Sequence, residues 1–350
     1  MALSQTRRAQ LLQTKLRALI VENWNVDPTS LVGEAFPIGA GFVAATTGVG
    51  WVLVPAITID ADPLDAEALR PALSPGWLGG AVVWRQRHGL HTLNVLCDLA
   101  DGGGARRNAL LDSPLSLFVI NGRTTSPMVA EPFLAVQPPD SMSMLHADTI
   151  VACGADVVVE HGVLRAEVLG LEVARVMVDE HDGVPRLHVG VGKHDRLAQS
   201  MMHGSEGDAV VGLTEAVGAV RAHRRIDAGS HPANQLSRER WFRIALCSAP
   251  EQIGAASLAP TESTVVPTLK LATPAMAVGI ASDATPMVVG ASAGVDLDAA
   301  LVVADVAAVL RLDGARRVLV VPSGNDLPAV RRVANACGVE TITADVPWPR

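Results

Sequence analysis

The sequence predicts a mixed α/β (α+β) protein, and three observations carry that prediction. Short β-branched runs bounded by Gly, Pro, Asn and Asp alternate with stretches of helical period. The segment 274–350 alternates strand and apolar helix in the order of a parallel βαβ unit. The chain has 350 residues, 49% of them hydrophobic, which is ample for large buried cores.

Taken in order, residues 5–24 place Leu12, Leu16, Leu19 and Ile20 at helical spacing with Arg and Lys opposite, the pattern of an amphipathic docking helix. Strand-like runs follow at 49–59, 79–87 and 90–98, then the loop ADGGG, a short helix ARRNALL and a strand at 115–122. QPPD at 137–140 reads as a boundary, so 1–140 is expected as an N-terminal domain with a mixed sheet and helices.

In 141–247, ADVVVEHG and the long strand VLRAEVLGLEVARVMVDEHDG form a hairpin around His161 and Gly162. The turn DEHDGVPR then leads to LHVGVG, which makes an antiparallel meander. Helical material follows in HDRLAQSMMHG, GDAVVGLTEAVGAVRAHRR and NQLSRERWFRIALC. This middle region is either a domain of its own or part of the N-terminal core.

Residues 248–273 shift to Ala, Pro, Ser and Thr and read as a linker. In 274–350 the order is strand, turn at Asp283, strand, apolar helix, buried strand, helix ending at Gly338, and strand, a small C-terminal α/β domain. No fixed-period repeat is visible.

Composition excludes several function classes. The net charge of −8 opposes nonspecific nucleic-acid binding, which needs clustered cations to neutralise phosphates. Aromatics are 3% of the chain and tyrosine is absent, which removes stacking platforms for single strands. The lysines are Lys15, Lys193 and Lys270, none in a recognisable catalytic motif. Four cysteines without CxxC spacing argue against a zinc ribbon or a disulfide framework. MALSQTRRAQ has no apolar h-region behind it, and no stretch reaches the roughly 18 to 20 uncharged residues of a membrane span. A cytoplasmic protein without membrane association is therefore expected, with a protein partner or a second copy of itself as the favoured ligand.

The middle strand carries the charges that ask for an explanation. In strict alternation Arg165 and Glu167 share one face with Leu169, while Glu172 falls on the other. A bulge at Gly170 would bring Glu167, Leu169 and Glu172 together. Two readings stand. One is a half-exposed sheet whose Glu and Arg pair across strands. The other is an acid-base or hard-metal site for Mg or Mn built from Glu160, Glu167 and Glu172, because such ions want carboxylate oxygens. His194, Asp195 and His203 flank a short helix and form a further candidate ligand set, without HxxxH or HExxH spacing. Arg106 and Arg107 open a helix behind a glycine loop, the arrangement that cradles an anion or nucleotide phosphate. Gly290-Ala291-Ser292-Ala293-Gly294 matches GxSxG, but no histidine follows residue 231 to serve as its base.

The element order of 274–346 resembles the core of the restriction-endonuclease-like superfamily, the PD-(D/E)XK fold. Asp283 stands near the family's hairpin aspartate, whereas Gly290-Ala291-Ser292 stands where the family's E-x-K would be. The resemblance implies a degenerate, nuclease-like module without the metal-binding carboxylate and the lysine. The Arg-rich, Lys-poor composition, with phrases such as LRAEVLGLEVARV and HPANQLSRERWFR, resembles conserved proteins of high-GC bacteria such as actinobacteria, and it carries no activity. The expectation is a non-enzymatic binding or assembly module. The alternatives are a phosphodiesterase-like metal-dependent hydrolase using Glu160, Glu167 and Glu172, with Arg165 or Lys193 near the leaving charge, and a small-anion or nucleotide sensor.

Overall fold

The structure is a computed structural model that describes residues 5–36, 42–60, 69–135, 138–179, 182–191, 206–229, 231–266 and 273–348. Its fold is mixed α/β. Helix α1 (Gln5–Trp24) leads into three antiparallel strands, β1 (Val32–Phe36), β2 (Phe42–Thr46) and β3 (Gly50–Val54). A hairpin, β4 (Ala56–Asp60) and β5 (Leu69–Leu73), precedes helix α2 (Trp77–Arg87). The chain then enters β6 (Leu93–Cys97), parallel to β3, and crosses by α3 (Gly102–Asn108) to the parallel strand β7 (Ser116–Asn121). The antiparallel β8 (Thr124–Pro127) completes the order β1-β2-β3-β6-β7-β8.

The middle unit begins with short helices α4 (Ser141–Met144) and α5 (His146–Ala152). Its sheet is a four-stranded meander, β9 (Asp156–Glu160), β10 (Val163–Val168), β11 (Leu171–Val178) and β12 (Pro185–Val189), followed by α6 (Glu206–His223). The apolar face, with Leu164, Ala166, Leu171 and Val173, packs on Leu213 and Val217 of α6 in a core of its own. Among the described residues, this cluster takes nothing from the first 140 positions.

The last region comprises α7 (Arg238–Ser248), β13 (Ala255–Pro260), β14 (Ala275–Ala281), β15 (Pro286–Ala291), α8 (Ala299–Val309), β16 (Arg316–Pro322), α9 (Pro328–Ala336) and β17 (Glu340–Ala344). β13 to β15 are antiparallel, and β15, β16 and β17 run parallel.

The first and last regions follow one path: helix, three antiparallel strands, then two helix crossovers to parallel strands. The inner helices also pack reciprocally, α2 against α9 and α3 against α8. Exchanging the halves turns one contact into the other, as an approximate two-fold relation requires. Arg106-Arg107 lie nine residues past the end of β6, and Arg331-Arg332 nine past the end of β16. Val52, Val95 and Leu78 share a single buried cluster with Val288, Leu319, Leu301 and Val333. The expected separate domains 1–140 and 274–350 are thus two halves around one core. The outer face of the first sheet is covered by Leu16, Leu19 and Ile20 of α1, against Trp51, Leu53 and Leu96. The outer face of the second is covered by Trp241, Phe242 and Leu246 of α7.

Several elements differ from expectation. Residues 79–87 lie in α2, because Leu78, Ala81, Val82 and Arg85 recur at helical spacing and are buried, while the Val pair alone mimics a strand. The long strand of 163–183 is a hairpin: Leu169 and Gly170, at φ 48° and 77°, form a two-residue turn between β10 and β11. The linker assigned to 248–273 includes β13, which pairs with β14, and helix α7 belongs to the C-terminal sheet rather than to the middle unit. The helix read in HDRLAQSMMHG lies outside the described residues.

Candidate functional site

The glutamates singled out from sequence converge on the face of the meander opposite α6. Glu167 and Glu172 are cross-strand partners in β10 and β11, and Arg165 faces Arg175 one step along. The register shift falls between Ala166 and Glu167, and the tight turn at Leu169-Gly170 replaces the expected bulge. Facing them is α7. Trp241, Phe242 and Leu246 turn to the C-terminal sheet, which leaves Arg240 and Arg243 pointing at the meander. A Cβ on Gly170 would lie 2.5 Å from the Arg240 backbone, so glycine is what lets the turn abut the helix.

The result is a buried ion-pair network, not a solvated face. Glu160, Arg165, Glu167, Glu172, Arg175, Arg240 and Arg243 are all buried, Glu167 completely. Arg240 donates to both Glu167 and Glu160, and Arg243 Nη1 donates to Glu160 Oε1 at 2.8 Å. Arg175 holds Glu172 with two hydrogen bonds, Nε to Oε1 at 2.6 Å and Nη2 to Oε2 at 2.8 Å. Arg165 lies 3.7 Å from Glu160 and 3.5 Å from Glu172. Four guanidinium groups thus surround three carboxylates. A fifth, Arg224, stacks over Trp241 and donates to the carbonyls of Ala233 and Leu236.

Burial works to raise the Glu160 carboxyl, but Arg240 and Arg243 outweigh it and hold it below the usual range. At Glu167 complete burial prevails over the same arginines and the pKa rises. His161, in the β9–β10 turn, sits with Nδ1 3.1 Å from Glu262 Oε1, and burial depresses its pKa. Beside the network is a cavity of about 20 Å³ lined by Glu160, Arg240, Arg243, Thr261 and Ser263, room for about one water molecule.

Chemically, these carboxylates are committed acceptors. A hard cation would have to displace guanidinium groups from them, and among the described residues no group of three or more His, Cys, Asp or Glu is arranged to hold a metal ion. His194, Asp195, His203 and Lys193 lie outside the described residues. The anion cradle at Arg106 and Arg107 is filled by the chain itself. Asp101 accepts from Gly104 N–H at 2.7 Å, and Trp77 Nε1 donates to it at 3.2 Å. Arg106 grips the buried Asp305 of α8 with two hydrogen bonds at 2.8 Å, tying the two halves together. Arg107 lies 3.7 Å from Asp101. A Cβ on Gly102 would strike the Glu131 side chain, and one on Gly104 would lie 2.5 Å from Asp101 Oδ2, so close packing accounts for these two glycines.

In the GxSxG stretch, the buried Ser292 donates to Gly294 O. A Cβ on Gly290 would lie 2.5 Å from Val303 Cγ2, because α8 packs flush on β15. That contact is a physical reason why no glutamate stands there. Asp283 sits in the exposed β14–β15 turn and accepts from Thr285 N–H at 3.0 Å. Sequence reasoning missed Asp305, Glu262 and the pairing of SRERWFR with the meander. The available signal was the complementarity of Arg240 and Arg243, opposite the apolar stripe of their helix, to an acidic strand face.

Comparisons of the chain with protein-family models, with curated proteins and with solved structures found no match.

Proposed function

We propose that the chain is a non-enzymatic binding or assembly protein, with the nuclease-like path of its C-terminal half serving as scaffold. The observation that carries this reading is the commitment of Glu160, Glu167 and Glu172 to buried arginines: the side chains best suited to hydrolysis spend their charge on holding α7 to the meander. The middle unit is the part that meets the partner. It exposes Met142, Leu145, Val151, Val211 and Ile226, and beside α4 it has a groove of about 510 Å³ lined by Pro138, Pro139, Asp140, Ser143 and Val178. The partner is another protein or a second copy of the chain. Among the described residues no helix is long and apolar enough to cross a membrane.

The test is calorimetric titration of Mg²⁺ and Mn²⁺ into the wild type and a Glu167→Ala, Glu172→Ala double mutant, alongside phosphodiesterase assays. No metal heat and no turnover are expected. Metal-dependent turnover in the wild type that the folded double mutant loses would overturn the reading.

A further inference from the structure

The joint between the meander and α7 holds more cations than anions. Arg165, Arg175, Arg240 and Arg243 are buried against Glu160, Glu167 and Glu172, which leaves one positive charge over. Arg224 adds another, and its hydrogen bonds go to uncharged carbonyls. Glu262, 32% exposed, faces His161 rather than an arginine. The hydrogen-bond donors show the same imbalance. Among the described residues, Arg165 Nε, Arg175 Nη1, Arg224 Nε and Arg243 Nε are buried without an acceptor, whereas in the three carboxylates Glu167 Oε2 alone is buried without a donor. A buried cation short of acceptors is costly, because it has left water without a replacement.

The cavity beside the network adjoins this excess. Arg240 and Arg243 line it from α7, and Arg243, buried throughout, is one of the residues whose Nε has no acceptor. Thr261 and Ser263, just past β13, and Thr273, just before β14, bring three hydroxyl groups to the same wall. The Ser263 oxygen accepts from the Val265 N–H at 3.2 Å, which leaves its own proton to be donated elsewhere. Glu160 also lines the cavity, but Arg243 donates to its Oε1 and Arg240 to its Oε2, so its charge is already met. At about 20 Å³ the space takes a guest of one heavy atom, which excludes sulfate, phosphate and carboxylates.

We propose that this cavity binds one monatomic anion, chloride or another halide, which supplies the negative charge the joint lacks. The two guanidinium groups attract the ion, the hydroxyls turn their protons toward it, and the size of the cavity selects it over polyatomic anions. The bound ion ties α7 to the end of β13 and the start of β14. It binds the closed joint and not the unfolded chain, so it stabilises the protein by mass action.

Thermal melting of the full chain tests the site, with chloride replacing gluconate at constant ionic strength, since gluconate is too large to enter. Tm should rise along a saturating curve, and bromide should reproduce it. Saturation separates a site from the general action of salt on apolar burial. The double variant Thr261→Val, Thr273→Val keeps the shape of the wall and removes two donors to an ion, so the half-saturating chloride concentration should rise at least about tenfold. Ala275→Val narrows the cavity and should melt at one temperature across the chloride series. A wild-type Tm that is flat or rises without saturating means that the cavity holds water, and it overturns the proposal. So does a half-saturating concentration unchanged in the threonine variant, or a saturating response that survives Ala275→Val. If one variant fails to fold the other decides, and if both fail the wild-type curve decides alone.

Discussion

The two halves share one chain path and differ in what covers their outer helix. α1 lies on the N-terminal sheet with Leu16, Leu19 and Ile20 inward, while Arg8, Gln10 and Leu11 stay exposed. α7 occupies the corresponding place on the C-terminal sheet, but its far side is sealed by the meander through the glutamate-arginine network. One architectural slot thus serves two ends. Where the far side is polar and small in demand, water covers the helix. Where it carries two arginines that reach carboxylates on another sheet, the helix becomes the joint between units. Buried ion pairs add little net stability over apolar packing, but they punish wrong registers severely, so they suit a joint that must close in one way.

Four measurements bear on the difference between α1 and α7. The largest effect is expected at the joint: Glu167→Ala leaves Arg240 buried and short of a partner, and should cost about 3–5 kcal/mol in urea unfolding. A loss under about 1 kcal/mol would make the network ornamental and erase the contrast with α1. Next, the inner faces of the two helices should respond alike. Leu16→Ala and Leu246→Ala, both fully or almost fully buried, should each cost about 2–5 kcal/mol. Strongly unequal costs would show that the shared path hides unequal packing.

A smaller effect is expected from pH. Burial depresses the His161 pKa from its ordinary 6.5, so its contribution to stability is present above about pH 6.5 and is lost as pH falls below it. The drop in Tm between pH 7 and 5 should shrink in His161→Asn, and an unchanged drop would remove His161 from the joint's electrostatics. The smallest effect belongs to the N-terminal half. Lys15, 40% exposed in its pair with Asp98, should cost less than about 1 kcal/mol when replaced by alanine.

Local elements with an unambiguous period are legible in the residues alone. The Leu12, Leu16, Leu19, Ile20 spacing placed α1, the Gly162 turn and the alternating valines placed most of the meander, and the order from β14 to β17 was readable throughout. Helix and strand periods are properties of neighbouring residues, so they survive without knowledge of the fold. Where a run was short the period failed: two valines hid α2, and a turn of Leu169 and Gly170 hid inside an apparent long strand.

The other features depend on contacts between residues far apart in the chain. The shared path of the two halves shows as no fixed-period repeat in the sequence, because the hairpin β4–β5 interrupts one half and the whole middle unit separates the two. The glutamates could be read from sequence as solvated or as catalytic, and the fold buries them among arginines, because Arg240 reaches Glu167 from 73 positions away. Pairing energies act through space and not along the chain, so the fate of a charged side chain is settled only when its distant partners arrive.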